Sequence, residues 1–175
     1  GVTGVSIVPV SGRLTDHFDP RTNTIRLSEE VYNKTTIAAV GVACHEAGHA
    51  VQHAQGYLPN KIRGVLVPAS RIGSMLAFPL ILIGFLFSGS TGDLFVNMGI
   101  IFYTLAVFFT VVTLPVEFNA SSRALKIIKQ GYLLDDSEYN GAKAVLQAAA
   151  MTYVAATITS LLQLLRLVML SNRRR

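Results

Sequence analysis

TIAAVGVACHEAGHAVQHAQG, residues 36–56, is the stretch on which the reading of this chain turns. Its spacing predicts a helix that starts at Thr35 or Thr36 and runs through Ile37, Val40, Cys44 and Val51. Gly56 and Pro59 stop it. Inside it lies His45-Glu46-Ala47-Gly48-His49. Residues four apart on a helix share a face, one turn apart, so both imidazoles can reach a single ion at about 2.0–2.1 Å. Glu46 emerges beside that ion, where a carboxylate can take a proton from an activated water. The chemistry this implies is metal-assisted hydrolysis of an amide, with zinc as the metal. The competing reading is a solvated polar helix face. Ala47, Gly48 and Ala50 weigh against it, because small residues let another element approach and leave room for a substrate. Cys44 is adjacent to His45, but neighbours on a helix point about 100° apart, so it reads as a small packing residue rather than a thiol nucleophile.

Outward from the motif, the chain is unlike a soluble domain. Of its 175 residues 51% are hydrophobic and only 14% are charged, against about 25% charged in soluble proteins. Val65–Phe87 is long enough to span a bilayer if Arg71 snorkels or faces protein. Ser88–Asp93 reads as a turn. Leu94–Leu114 carries no charge and is the clearest span. Pro115 is read as a break, with Glu117 opening a polar helix that ends at Gly131. Asp135, Asp136 or Ser137 caps a further helix, which runs into the apolar Val154–Leu170; this last stretch is either a third span or a helix packed across the bundle. Towards the amino terminus, Val5–Val10 alternates weakly, and Pro9 would confine it to a sheet edge. Arg13–Phe18, the turn Asp19–Asn23 and Thr24–Leu27 read as a β-hairpin. Ser28 with Glu29 and Glu30 reads as the start of a short helix breaking near Asn33. The net charge of +5 forms no basic stripe interleaved with aromatics, so nucleic acid is not an expected partner; basic flanks of membrane segments account for it.

A catalytic zinc site needs a third protein ligand and one open position. His53 lies about 12 Å along the helix axis from His45, too far for both to bind one ion, and reads as a helix-face residue that could at most support a ligand. His17, on the hairpin, is a weak ligand candidate and a candidate for substrate contact. Glu117 is the stronger candidate, at the polar boundary of a span. A first-turn acid favoured by the helix dipole reads nearly as well from those residues alone. Topology favours the ligand: the motif helix precedes the first span and Glu117 follows the second, so two crossings return the chain to the same side.

The run Leu14–Arg21, then Ile25–Tyr32, then His45–His53, then Leu114-Pro115-Val116-Glu117-Phe118-Asn119-Ala120-Ser121 resembles the YugP-type membrane zinc metallopeptidases over nearly the whole chain. Full members carry a further hydrophobic helix before the point where this chain begins, so the resemblance implies a piece lacking an N-terminal transmembrane helix. More distantly, the Glu-Phe-x-Ala step is similar to the glutamate motif of the HtpX-like and CAAX prenyl proteases. This implies Glu117 as third ligand and Ser121 in place of an Asp that steadies a ligand, with Asn119 sharing that task. The same relatives imply that Leu14–Phe18 pairs with extended substrate. The fold class expected is therefore mainly α: a membrane-embedded, helical, zincin-like metalloprotease with a short N-terminal β-hairpin, as a single domain over 1–175.

Two functional classes are weighed. One is an integral-membrane zinc endopeptidase acting on peptide or protein substrates, membrane proteins among them. The other is a non-catalytic zinc-binding membrane scaffold. A structural zinc normally has four protein ligands; three credible ones occur here, and Glu46 would have no task in a scaffold. A zinc hydrolase of non-peptide substrates is a third option. His17, Asn119 and Tyr139 are candidates for transition-state contacts. Lys61, Arg63, Arg71, Arg123, Lys126 and Lys129 flank the site's side of the spans, whereas Ser88–Asp93 holds no Lys or Arg. Positive flanks favour the cytoplasm, so the expectation is a plasma-membrane protein with its site facing the cytoplasm. Arg173–Arg175 pulls the other way if Val154–Leu170 crosses.

Overall fold

A computed structural model describes residues 2–174. Three strands, β1 (Ser6–Val10), β2 (His17–Asp19) and β3 (Thr24–Ser28), precede four helices: α1 (Ile37–Ala54), α2 (Leu58–Leu86), α3 (Gly89–Gln130) and α4 (Asp136–Arg174). The fold is mainly helical, with the small sheet at the amino terminus. Among the described residues, α2, α3 and α4 are long and apolar enough to cross a membrane. The chain divides into two compact units, one of Gly1–Lys61 with Pro115–Thr152 and the other of Ile62–Leu114 with Tyr153–Arg175.

In the first unit the sheet order is β1-β3-β2. β2 and β3 form the expected antiparallel hairpin. Asp19 builds its turn, accepting hydrogen bonds from the Arg21 backbone N–H and the Thr22 hydroxyl, each at 2.9 Å. These bonds, the Arg21 one foremost, hold the Asp19 carboxyl below its ordinary value. The strand expected over Arg13–Phe18 is shorter than that. Gly12 and Leu14 have φ of 102° and 56°, and the Thr15 hydroxyl donates back to the Ser11 and Gly12 carbonyls, so the chain loops until His17. β1 pairs in parallel with β3, which puts Pro9 on an edge strand, where a missing N–H costs no ladder bond.

The short helix expected after Ser28 does not form. The Asp16 carboxylate takes both the Ser28 backbone N–H (2.7 Å) and its hydroxyl (3.0 Å), which ties Ser28 into the end of β3 instead of the start of a helix. Glu29–Asn33 are turns, with Val31 and Tyr32 N–H groups on the Ser28 carbonyl and Asn33 at φ 56°. The next helix starts where its cap allows: the Thr36 hydroxyl accepts the Ala39 N–H at 3.2 Å. α1 ends with Gly56 at φ 62° and the Tyr57 N–H on the Gln52 carbonyl, a left-handed C-terminal closure that glycine permits without strain.

α1 is covered on two sides. Cys44 packs with Ala124, Ile128, Ala142 and Leu146 from α3 and α4, the small buried role expected of it. Ala50 packs with Ile25 and Leu27 of β3, joined by Phe18, Ala43 and Ala47. Gly48 sets the closest approach of α1 to α3: a Cβ there would lie 2.6 Å from the Ala120 carbonyl oxygen.

α3 runs without interruption through Pro115, contrary to the break expected there. A proline removes one intrahelical bond, a loss apolar helices absorb when neighbours re-satisfy the freed carbonyl; α2 likewise contains Pro68 and Pro79. Glu117 therefore sits well inside a helix, which removes the reading as a first-turn acid. The turn expected over Ser88–Asp93 contracts to Phe87 and Ser88, because α3 already begins at Gly89. α3 closes with Tyr132 at φ 52° and the Leu133 N–H on the Ile128 carbonyl. α4 opens with Asp135 and Glu138 accepting each other's backbone N–H at 2.8 and 3.1 Å, a reciprocal cap. In the second unit, Gly73 and Gly99 bring α2 and α3 within backbone contact, and the Thr110 hydroxyl meets that of Ser160 at 3.3 Å.

Candidate metal centre

His45 and His49, one turn apart on α1, both direct Nε2 towards Glu117 on α3. The Glu117 Oε2 atom lies 3.2 Å from His45 Nε2 and 3.7 Å from His49 Nε2. The imidazole rings stand edge to face, centroids 4.8 Å apart. One ligand atom from each of the three residues lies within 4.8 Å of the others, and Glu117 is only 2% exposed. Ligand atoms about 2.0–2.1 Å from a tetrahedral ion stand about 3.3 Å apart; the two distances from Glu117 are close to that spacing, and no pair in the set is more than 4.8 Å apart.

The other edges of the two rings are held as well. His45 Nδ1 lies 3.1 Å from the Ser121 hydroxyl. His49 Nδ1 lies 3.0 Å from Gln52 Oε1. The Gln52 amide nitrogen in turn donates to the Val116 carbonyl (2.8 Å) and to Asn119 Oδ1 (3.0 Å), and Asn119 Oδ1 also accepts from Arg123 Nε at 2.7 Å. Because Gln52 Oε1 only accepts, it binds His49 as the Nδ1–H form and leaves the Nε2 lone pair facing a carboxylate oxygen. In the neutral ring that lone pair and the carboxylate oxygen are two acceptors aimed at one point, an arrangement a cation would satisfy. This is the physical fit of the donor set to a metal.

Glu46 follows His45 and is 7% exposed. Burial pushes its carboxyl above the ordinary value; the nearby His49 and His45 oppose this, Glu117 adds to it, and a hydrogen bond from the Phe18 backbone N–H opposes it. That last bond ties the β2 edge to the motif helix. For His49, burial works against the charged ring. The close contact of Nε2 with Glu117, the charges of Glu117 and Glu46, and the Gln52 bond outweigh it and raise the imidazole above its ordinary value.

The remaining sequence candidates divide. Ser121 touches a metal-facing histidine. Asn119 acts one step further out, on Gln52 rather than on His45. His53 is exposed and packs against the Phe18 ring at 5.7 Å, outside the group of three. His17 is exposed, with Nδ1 2.7 Å from the Thr15 carbonyl, and does not join the cluster. Tyr139 packs against the helical core around Ile128. Gln52 was not singled out from sequence. Its signal was an amide one turn beyond His49 in an otherwise apolar helix.

A family model described as "Putative neutral zinc metallopeptidase" matches residues 1–172. The Bacillus subtilis (strain 168) protein described as "Putative membrane protease YugP" is 46% identical over 170 residues, covering 97% of this chain and 74% of that protein. No solved structure gives a significant match.

Proposed function

Because the chain belongs to the neutral zinc metallopeptidase family that this match describes, we propose that it is an integral-membrane zinc endopeptidase with Glu46 as general base. The observation that carries this reading is the convergence of His45, His49 and Glu117 with a buried carboxylate, Glu46, beside them. Among the described residues no fourth His, Cys, Asp or Glu joins that group. Three ligands suit a catalytic zinc better than a structural one, which takes four. A zinc ion supplies Lewis acidity at that point.

The chain's own residues do the rest. His45, His49 and Glu117 hold the ion. Ser121 and Gln52 hold the two rings by their Nδ1 edges. Glu46 accepts a proton from the attacking water and passes it to the leaving amine. Its raised carboxyl suits that exchange, since an ordinary carboxylate is a weaker base. β2 is an edge strand, so an extended peptide can add to it by β-augmentation. The substrates are peptides or proteins, membrane proteins among them. The lipid bilayer is the other partner, with α2 and α3 crossing it. Nucleic acid is not a partner. The site faces the cytoplasm from the plasma membrane, a reading supported by Lys61, Arg63, Arg123, Lys126 and Lys129.

The test is zinc analysis of the detergent-purified chain, with cleavage of an unfolded protein substrate before and after chelation. Stoichiometric zinc, with activity lost on chelation and regained on adding zinc, is the expected result. Protein that binds no zinc would end the metallopeptidase reading. Zinc binding without cleavage would favour the scaffold.

A further inference from the structure

We infer that Arg123, outside the metal cluster, is a positioning residue for His49, acting through Asn119 and Gln52. The inference rests on the reading of His49 as a ligand and adds how that ligand is prepared. The argument follows the direction of each hydrogen bond. A guanidinium has donors and no acceptor, so the 2.7 Å contact from Arg123 Nε requires the oxygen of the Asn119 amide at that point. That oxygen then accepts the Gln52 amide nitrogen at 3.0 Å. The Val116 carbonyl, which also only accepts, takes the same nitrogen at 2.8 Å. With its nitrogen so committed, Gln52 presents oxygen to His49 Nδ1 at 3.0 Å. The ring proton must sit on Nδ1, and the Nε2 lone pair is left for a metal. Gln52 is fully buried, so water cannot substitute for a misdirected amide.

His45 is held differently. Its Nδ1 partner is the Ser121 hydroxyl at 3.1 Å, and a hydroxyl both donates and accepts. That contact steadies the ring without choosing its tautomer. Of the two histidines, His49 is therefore the one whose proton is placed by a one-directional chain starting at a cation. Without the chain, the nearest acceptor for a ring proton is Glu117 on the Nε2 side. Its 3.7 Å separation is too long for a good hydrogen bond, yet short enough to close once the Nδ1 partner is lost.

The test uses the whole chain in detergent, labelled with ¹⁵N-histidine, metal-free, at a pH where the His49 ring is neutral. Long-range ¹H–¹⁵N couplings report which nitrogen carries the proton. His49 is expected on Nδ1–H in the wild type and in Asn119→Asp, whose carboxylate still accepts both donors. Gln52→Met should move it towards Nε2–H, Arg123→Met should move it only part of the way because the Val116 carbonyl still holds the Gln52 nitrogen, and Arg123→Lys, which keeps a donor without an acceptor, should restore it. Zinc affinity should fall by about 10–100-fold in Gln52→Met, as for other residues that orient a metal-binding histidine, and by less in Arg123→Met. Should Gln52→Met not fold, Arg123→Met decides alone, because Arg123 is only partly buried. His49 on Nε2–H in the wild type, or unmoved on Nδ1–H in Arg123→Met, would overturn the inference. Zinc binding by the wild type tests the metal-centre reading separately, since the tautomer is read without metal.

Discussion

Gly48 of α1 faces the Ala120 carbonyl of α3 so closely that a Cβ would stand 2.6 Å from the oxygen. This contact fixes the distance between the helix bearing His45 and His49 and the helix bearing Glu117. The obstructing atom is backbone, so no rotamer change relieves it. Gly48→Ala should therefore part the helices despite the better helix propensity of alanine, which is worth about 1 kcal/mol. A net destabilisation of about 1–3 kcal/mol is expected, together with weaker zinc binding. Denaturant unfolding and zinc competition measure the two effects. Unchanged zinc affinity in Gly48→Ala would mean that the helix spacing does not set the site.

Glu117→Ala and His53→Ala separate a ligand from a neighbour of the motif. Loss of Glu117 should abolish stoichiometric zinc, while His53→Ala should keep most of it, because His53 packs on Phe18 rather than on the cluster. Full zinc content in Glu117→Ala would remove the carboxylate from the ligand set.

The helix carrying the two histidines was legible in the sequence because its signals are local: the Thr36 cap, the Gly56 closure and the His-Glu-x-x-His spacing all act within a turn of where they are read. The convergence with Glu117 was legible because two crossings return a chain to the side it left. What was not legible depends on tertiary partners. Ser28 looks like a cap until Asp16, twelve residues earlier, is seen to hold both its backbone N–H and its hydroxyl at the end of β3. Pro115 looks like a break until α3 is seen to continue through it. Gln52 has no meaning as a single letter. Its role comes from Val116 and Asn119, more than sixty residues away.

Zinc binding should release protons near neutral pH. Metal requires the neutral His49 ring, and that ring is raised above its ordinary value by Glu117, Glu46 and Gln52 against the effect of burial. The sign for stability is that of a raised group. In the metal-free protein the His49 proton stabilises the fold fully below the unfolded value of about 6.5, and this is lost as pH rises through the folded value. Zinc affinity runs the other way and weakens as pH falls. Calorimetry in buffers of differing ionisation enthalpy measures the protons released. Binding at pH 7 with no proton release would contradict the raised value.

The proposed orientation rests on the distribution of charge. A Ser90→Cys variant places a thiol at the start of α3, on the side lacking Lys and Arg, while native Cys44 is buried. A membrane-impermeant thiol reagent should label Ser90→Cys on intact cells. Labelling only after lysis would place the site on the outer face.

The most direct measurement is the Glu46→Gln variant, assayed for zinc content and for cleavage of an unfolded protein substrate. The amide keeps the size of the side chain but cannot accept the water's proton at working pH. The account predicts a folded protein with zinc bound as in the wild type and no detectable hydrolysis. Undiminished cleavage by a zinc-loaded Glu46→Gln would contradict the assignment of Glu46 as general base and with it the mechanism.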